Sequence, residues 1–190
     1  MTQWTPTPDD YQQGWDAASA LVTSLASGGP LPEVPGSTMV LGPGERHHVS
    51  THAATAAYYG RDVDYNTGWL LAGTWRGMLL TGAASWLYNS HQRKRAERES
   101  AVQWRAEGVL PVHLTSERLL VMANGQWETF YLESNFVAFE PWWDSFTAVI
   151  HPNTGSPFLF EGPSVPYLSV VLYQLLHRRV PELTALPPGS

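Results

Sequence analysis

Three imidazoles lie close together in the chain, at His47, His48 and His52, and could carry chemistry. On a helix, His48 and His52 would share a face as i,i+4 ligands, and the chemistry would be metal-assisted hydrolysis. On a strand the same two residues stand about 13 Å apart, too far for one ion. The segment RHHVSTHAATAAYY, 46–59, is rich in Val, Thr and Tyr, so it predicts a strand first and a helix second. The imidazoles then read as polar strand residues, with a His48/His52 metal-assisted hydrolase as the alternative. No HExxH pattern follows, no GxSxG elbow is present, and Gly42-Pro43-Gly44 lacks the Lys-Ser/Thr ending of a phosphate loop. With no Cys there is neither thiolate chemistry nor a disulfide framework. The expectation is a non-enzymatic chain with no catalytic residue, metal or cofactor.

Two other groups could bind rather than react. Arg93, Lys94, Arg95 and Arg98 form a basic run that suits an anionic ligand, a phospholipid headgroup or an acidic partner. Arg93 with Glu97 and Arg95 with Glu99 also fit i,i+4 pairs on a solvated helix face, and that plainer reading is preferred. Trp142-Trp143 at a strand connection would be a binding anchor if exposed, whereas packing within the domain is the plainer reading. A net charge of −6 argues against general nucleic-acid binding.

The elements that must position these residues centre on 111–140. Two strand-like runs flank Asn124-Gly125, the strongest short hairpin signal, because a type I′ turn needs positive φ at both central residues. A two-residue loop sets Met122 opposite Trp127, Leu120 opposite Thr129 and Arg118 opposite Tyr131. Leu119, Val121 and Phe130 then lie on the other face, which reads as core. Around the hairpin, 109–115, 135–140, 145–151 and 156–162 predict further short antiparallel strands, with Pro141 ending one of them. SVPYLSVVLYQLLHRR predicts an amphipathic helix capped by Ser164, to cover the sheet. Near the N-terminus, 9–26 predicts a helix entering at Asp9 or Asp10, followed by an extended Pro-rich connector.

Residues 69–88 have the length of a membrane span. Arg76 costs about 2.5–3.5 kcal/mol there, and five leucines at about 0.3–0.6 kcal/mol each only offset it, so a helix buried in protein is preferred.

The hydroxyl-x-x-Arg opening of LTSERLLV, the aromatic FYLESNFVAFE after the turn, and the passage from FLFEGP into the last helix together resemble the pleckstrin-homology superfold in its bacterial, GRAM-like versions. The resemblance implies a mainly β, α+β fold: a partly open antiparallel barrel with a C-terminal capping helix. Where phosphoinositide-binding relatives carry basic residues on the first hairpin, this chain has a long insertion, so lipid specificity does not carry over.

The expected organisation is an N-terminal helical arm and connector at 1–38, the barrel at 39–181 with a helical insertion at about 69–105, and a flexible tail at 182–190. The expected partner is a protein or a second copy of the chain, with an anionic membrane surface as a further possibility. MTQWTPTPDD shows no basic region leading into an apolar run, so a cytoplasmic protein is expected, with peripheral membrane attachment as the variant.

Overall fold

The computed structural model describes residues 6–59, 103–123 and 126–183. Backbone contacts divide the chain into two units, Met1–Ala57 with Arg105–Ser190, and Tyr58–Trp104. The elements are α1 (Pro8–Ala26), β1 (His47–Tyr59), β2 (Gln103–Thr115), β3 (Arg118–Ala123), β4 (Gln126–Tyr131), β5 (Phe136–Trp142), β6 (Thr147–Pro152), β7 (Phe158–Glu161) and α2 (Val165–His177). All belong to the first unit except the far ends of β1 and β2.

The seven strands form one sheet in the order β4-β3-β2-β1-β7-β6-β5. The β2–β3, β3–β4, β1–β7, β6–β7 and β5–β6 pairs are antiparallel, and among the described residues β4 and β5 are left as free edges. The described residues are therefore mainly β with two α-helices, and the sheet is not closed. It is strongly curled. The rings of Phe130 on β4 and Phe158 on β7 meet edge to face at 5.5 Å, although three strands separate β4 from β7 in the sheet. In a flat sheet these strands would stand roughly 19 Å apart. The concave side holds the core: Val112, Leu114, Leu119, Val121, Phe130, Ile150 and Phe160 are all buried.

The hairpin register is as the spacing predicts: Met122 faces Trp127, Leu120 faces Thr129 and Arg118 faces Tyr131. Asn124 and Gly125 themselves lie outside the described residues. The segment predicted at 46–59 is a strand and not a helix, running His47–Tyr59, as the β-branched content implies.

Four expectations need correction. The strand predicted at 109–115 begins at Gln103, so Gln103, Trp104 and Arg105 are β rather than the end of a helical insertion. Pro141 does not stop its strand. It stays in β5 opposite Ala148, tolerated because β5 is an edge and the missing N–H need not serve a second neighbour. Helix α1 starts at Pro8 with Thr7 as its cap. The Thr7 hydroxyl accepts from the Asp10 amide, and the Asp10 carboxylate accepts from the Thr7 amide at 2.7 Å. Ser164 makes no side-chain cap on α2; its hydroxyl instead donates to the His52 carbonyl at 3.1 Å. The rest of the expected insertion, through Val102, lies outside the described residues, as does the end of the tail. Among the described residues no helix is long and apolar enough to cross a membrane.

Helix α1 lies on α2 and buries Ala18, Leu21 and Leu25. Gly14 makes the close approach possible, because a Cβ built there would sit 1.8 Å from the Pro163 carbonyl oxygen. Phe146 fixes the other contact: its ring lies 4.9 Å from Tyr11 and 6.2 Å from Trp15. Its backbone is left-handed, φ 53°, a conformation costing a bulky residue roughly 1–3 kcal/mol. Burial of the phenyl ring against α1 is comparable, at about 1.5–3 kcal/mol.

Candidate functional site

The histidines are dispersed in role. His47 is buried, and its Nε2 lies 2.8 Å from the Val49 carbonyl. A carbonyl only accepts, so that nitrogen carries the proton, and in the neutral ring Nδ1 accepts from the Ser37 hydroxyl at 2.8 Å. His48 Nδ1 lies 2.7 Å from the Pro32 carbonyl and is likewise a donor. Both rings thus hold the connector to β1, a tie completed by Val34 N–H donating to His47 C=O at 2.7 Å. His52 is exposed, four residues along the same strand. Strand geometry puts it about 13 Å from His48. Among the described residues no group of three or more His, Asp or Glu is placed to hold a metal.

His113 lies between the rings of His47, at 5.3 Å, and Trp127, at 5.1 Å. Its Nδ1 is buried without a hydrogen-bond partner. Burial, then the nearby His47 and His52, push its pKa below the ordinary histidine value.

The hydroxyl-x-x-Arg opening of β3 has a structural role at the far end of the connector. Glu45, its side chain 2% exposed, accepts from Thr115 Oγ1 at 2.6 Å, Gly42 N at 2.7 Å, and Arg118 Nε and Nη2 at 2.8 and 3.1 Å. Arg118 also donates to the Val40 carbonyl at 2.9 Å, which straps the connector to the hairpin. Burial pushes the Glu45 carboxyl up, but the guanidinium, the Gly42 amide and the Thr115 hydroxyl outweigh it and hold the group below its ordinary value. All four of these donors to the carboxylate come from the chain itself, so the node is a fastening rather than a ligand site. Sequence reasoning found Thr115 and Arg118 but not Glu45, which stands 70 residues before Thr115 with no local signal.

A groove of about 550 Å³ runs beside α1, lined by Asp10, Gln13, Gly14, Thr51, His52 and Ser164. Two of its polar groups are engaged locally: Asp10 in the capping box and Ser164 with the His52 carbonyl.

The two edge strands differ from this self-satisfied interior. Trp127 (45% exposed) and Tyr131 (49%) lie on β4, and Val137 (70%) and Trp142 (49%) on β5. Of the predicted aromatic pair, Trp142 is thus half exposed, while Trp143 is partly buried in the short 3-10 turn Trp143–Ser145 that delivers Phe146 to α1. Trp127 and Tyr131 were not singled out as binding residues, although the hairpin register already places them on the face opposite the core. Arg93, Lys94, Arg95 and Arg98 lie outside the described residues.

In comparisons with known proteins, no family model matches the chain and no curated protein matches its sequence.

Proposed function

We propose that the chain is a non-enzymatic interaction module on a pleckstrin-homology-like barrel, and that it binds a protein partner through the edge strands of its sheet. The strand order β4-β3-β2-β1-β7-β6-β5, with a helix directly after β7, supports the barrel reading. So does the curl that brings Phe130 to Phe158. The observation that carries the function is the placing of four large apolar side chains, Trp127, Tyr131, Val137 and Trp142, 45% to 70% exposed on the two edge strands. Tryptophan and tyrosine are the residues that dominate interface energies, and a domain that buries Phe130 and Phe146 has the means to bury such rings when nothing else requires them exposed.

A photo-crosslinking residue placed at 127 or 142 in the full-length chain tests this in cells, with position 154, in the exposed β6–β7 turn, as control. Adducts with protein are expected from 127 and 142 and not from 154; an adduct at twice the chain mass identifies self-association. No protein adduct from either position would overturn the reading. Binding of the purified chain to anionic vesicles at low salt, lost when all four of Arg93, Lys94, Arg95 and Arg98 are replaced by Ala, would assign the surface to a membrane instead.

A further inference from the structure

We infer that the free edge of β4 takes up an extended cationic segment of a protein partner as an eighth strand of the sheet. The inference rests on the interaction-module reading and names the edge and the chemistry of its occupant. Leu132 N–H donates to Glu117 C=O at 2.8 Å, which sets the phase of the β3–β4 ladder. Hydrogen-bonded and open pairs alternate along an antiparallel ladder, so Phe130, Glu128 and Gln126 bond to β3, whereas Trp127, Thr129 and Tyr131 turn their backbone groups away. The Tyr131 carbonyl is taken by the Asn135 amide at 2.8 Å. Trp127 and Thr129 keep both N–H and C=O facing outward, and among the described residues nothing meets them. That is a template for about four backbone hydrogen bonds.

The two edges are not treated alike. On β5 a bulge interrupts the register between Phe136 and Ala138, and Pro141 removes a donor. Both are devices that discourage strand addition. On β4 the six residues pair in unbroken register with no Pro, no Lys and no bulge. Charge selects the occupant. Glu117, Glu128 and Glu133 are exposed in and beside this hairpin, and among the described residues none of them has an ion pair. The neighbouring cation, Arg118, is committed to Glu45. A second copy of β4 would bring the same carboxylates together; an incoming strand with Lys or Arg on alternate positions would neutralise them, with its apolar positions against Trp127.

The probe is a fluorescent ten-residue peptide alternating valine and lysine, titrated into the full-length chain at low salt and read by anisotropy. Thr129→Pro deletes an outward N–H and leaves the ladder to β3 intact, so it is expected to weaken binding at least about tenfold with an unchanged melting midpoint. The same peptide N-methylated on alternate amides is expected to weaken by a similar factor on wild-type protein, which keeps the test decisive where the proline variant fails to fold. A peptide with glutamate in place of lysine is expected not to bind. The inference is overturned if the valine–lysine peptide does not bind, or binds equally after N-methylation or to a folded Thr129→Pro variant. Crosslinks from 127 and 142 that persist in that event would leave the interaction reading standing and remove only the strand-addition mode.

Discussion

Replacing Gly14 by alanine sets two effects of opposite sign against each other. On helix propensity alone the change stabilises α1 by about 0.8–1.0 kcal/mol, since glycine is that much worse than alanine in a helix interior. The packing points the other way. The new Cβ would lie 1.8 Å from the Pro163 oxygen, 2.7 Å from its carbonyl carbon and 3.3 Å from its Cα, all backbone atoms with no flexible end to swing aside. An ordinary carbon–oxygen contact is about 3.3 Å, so α1 must withdraw by about 1.5 Å along that direction. A shift of that size loosens Ala18, Leu21 and Leu25 from their buried places and the Tyr11–Phe146 edge contact with them. Overpacking of this kind costs about 1–3 kcal/mol, and an approach of 1.8 Å to backbone belongs at the upper end, so after the propensity gain a net loss of about 2 kcal/mol is expected. Urea unfolding of the full-length chain measures it as a lower midpoint. The Gln13→Ala variant, at the exposed neighbouring helix position, serves as a control expected to change stability by less than about 0.5 kcal/mol. Hydrogen exchange should place the lost protection on 8–26. A Gly14→Ala protein as stable as wild type, or more so, would refute the close packing of α1 on the turn before α2.

Removing Arg118 strands the buried Glu45 carboxylate, so Arg118→Ala is expected to cost about 3–5 kcal/mol in chemical denaturation. Arg118→Lys should recover only part of that loss, because lysine cannot reproduce the two-nitrogen contact. The folded pKa of Glu45 is depressed, so its contribution is present above the ordinary carboxylate value and disappears as pH falls through the folded value. Glu45→Gln should flatten that acid limb. His113 acts at higher pH. Its folded pKa is also depressed, so below 6.5 the unfolded chain binds more protons and stability falls as pH drops from 6.5 toward the folded value. His113→Gln should remove that slope below pH 6.5, and an unchanged slope would assign it to another group. Trp142→Ser is expected to move stability by less than about 0.5 kcal/mol, as suits a half-exposed edge residue, while abolishing crosslinks from position 137 on the same edge strand. A large loss of stability would show the indole to be structural.

Local chemistry by itself determined the hairpin. A two-residue loop and a period of two leave one register in which Leu119, Val121 and Phe130 share a face, and all three are buried. The last helix was legible for the same kind of reason, with an apolar stripe at 3.6-residue spacing behind a proline in the first turn. What the sequence could not specify depends on partners far along the chain. Pro141 reads as a strand stop until the tertiary structure makes β5 an edge. Ser164 reads as a cap until His52, 112 residues away, offers its hydroxyl a carbonyl. Glu45 carries no signal until folding brings Thr115 and Arg118 to it. Trp127 has no functional weight in the sequence beyond that of any aromatic, and Trp142 stands out there only as half of the Trp142-Trp143 pair. Only the order of the strands decides that both fall on open edges, where rings and backbone groups face solvent together.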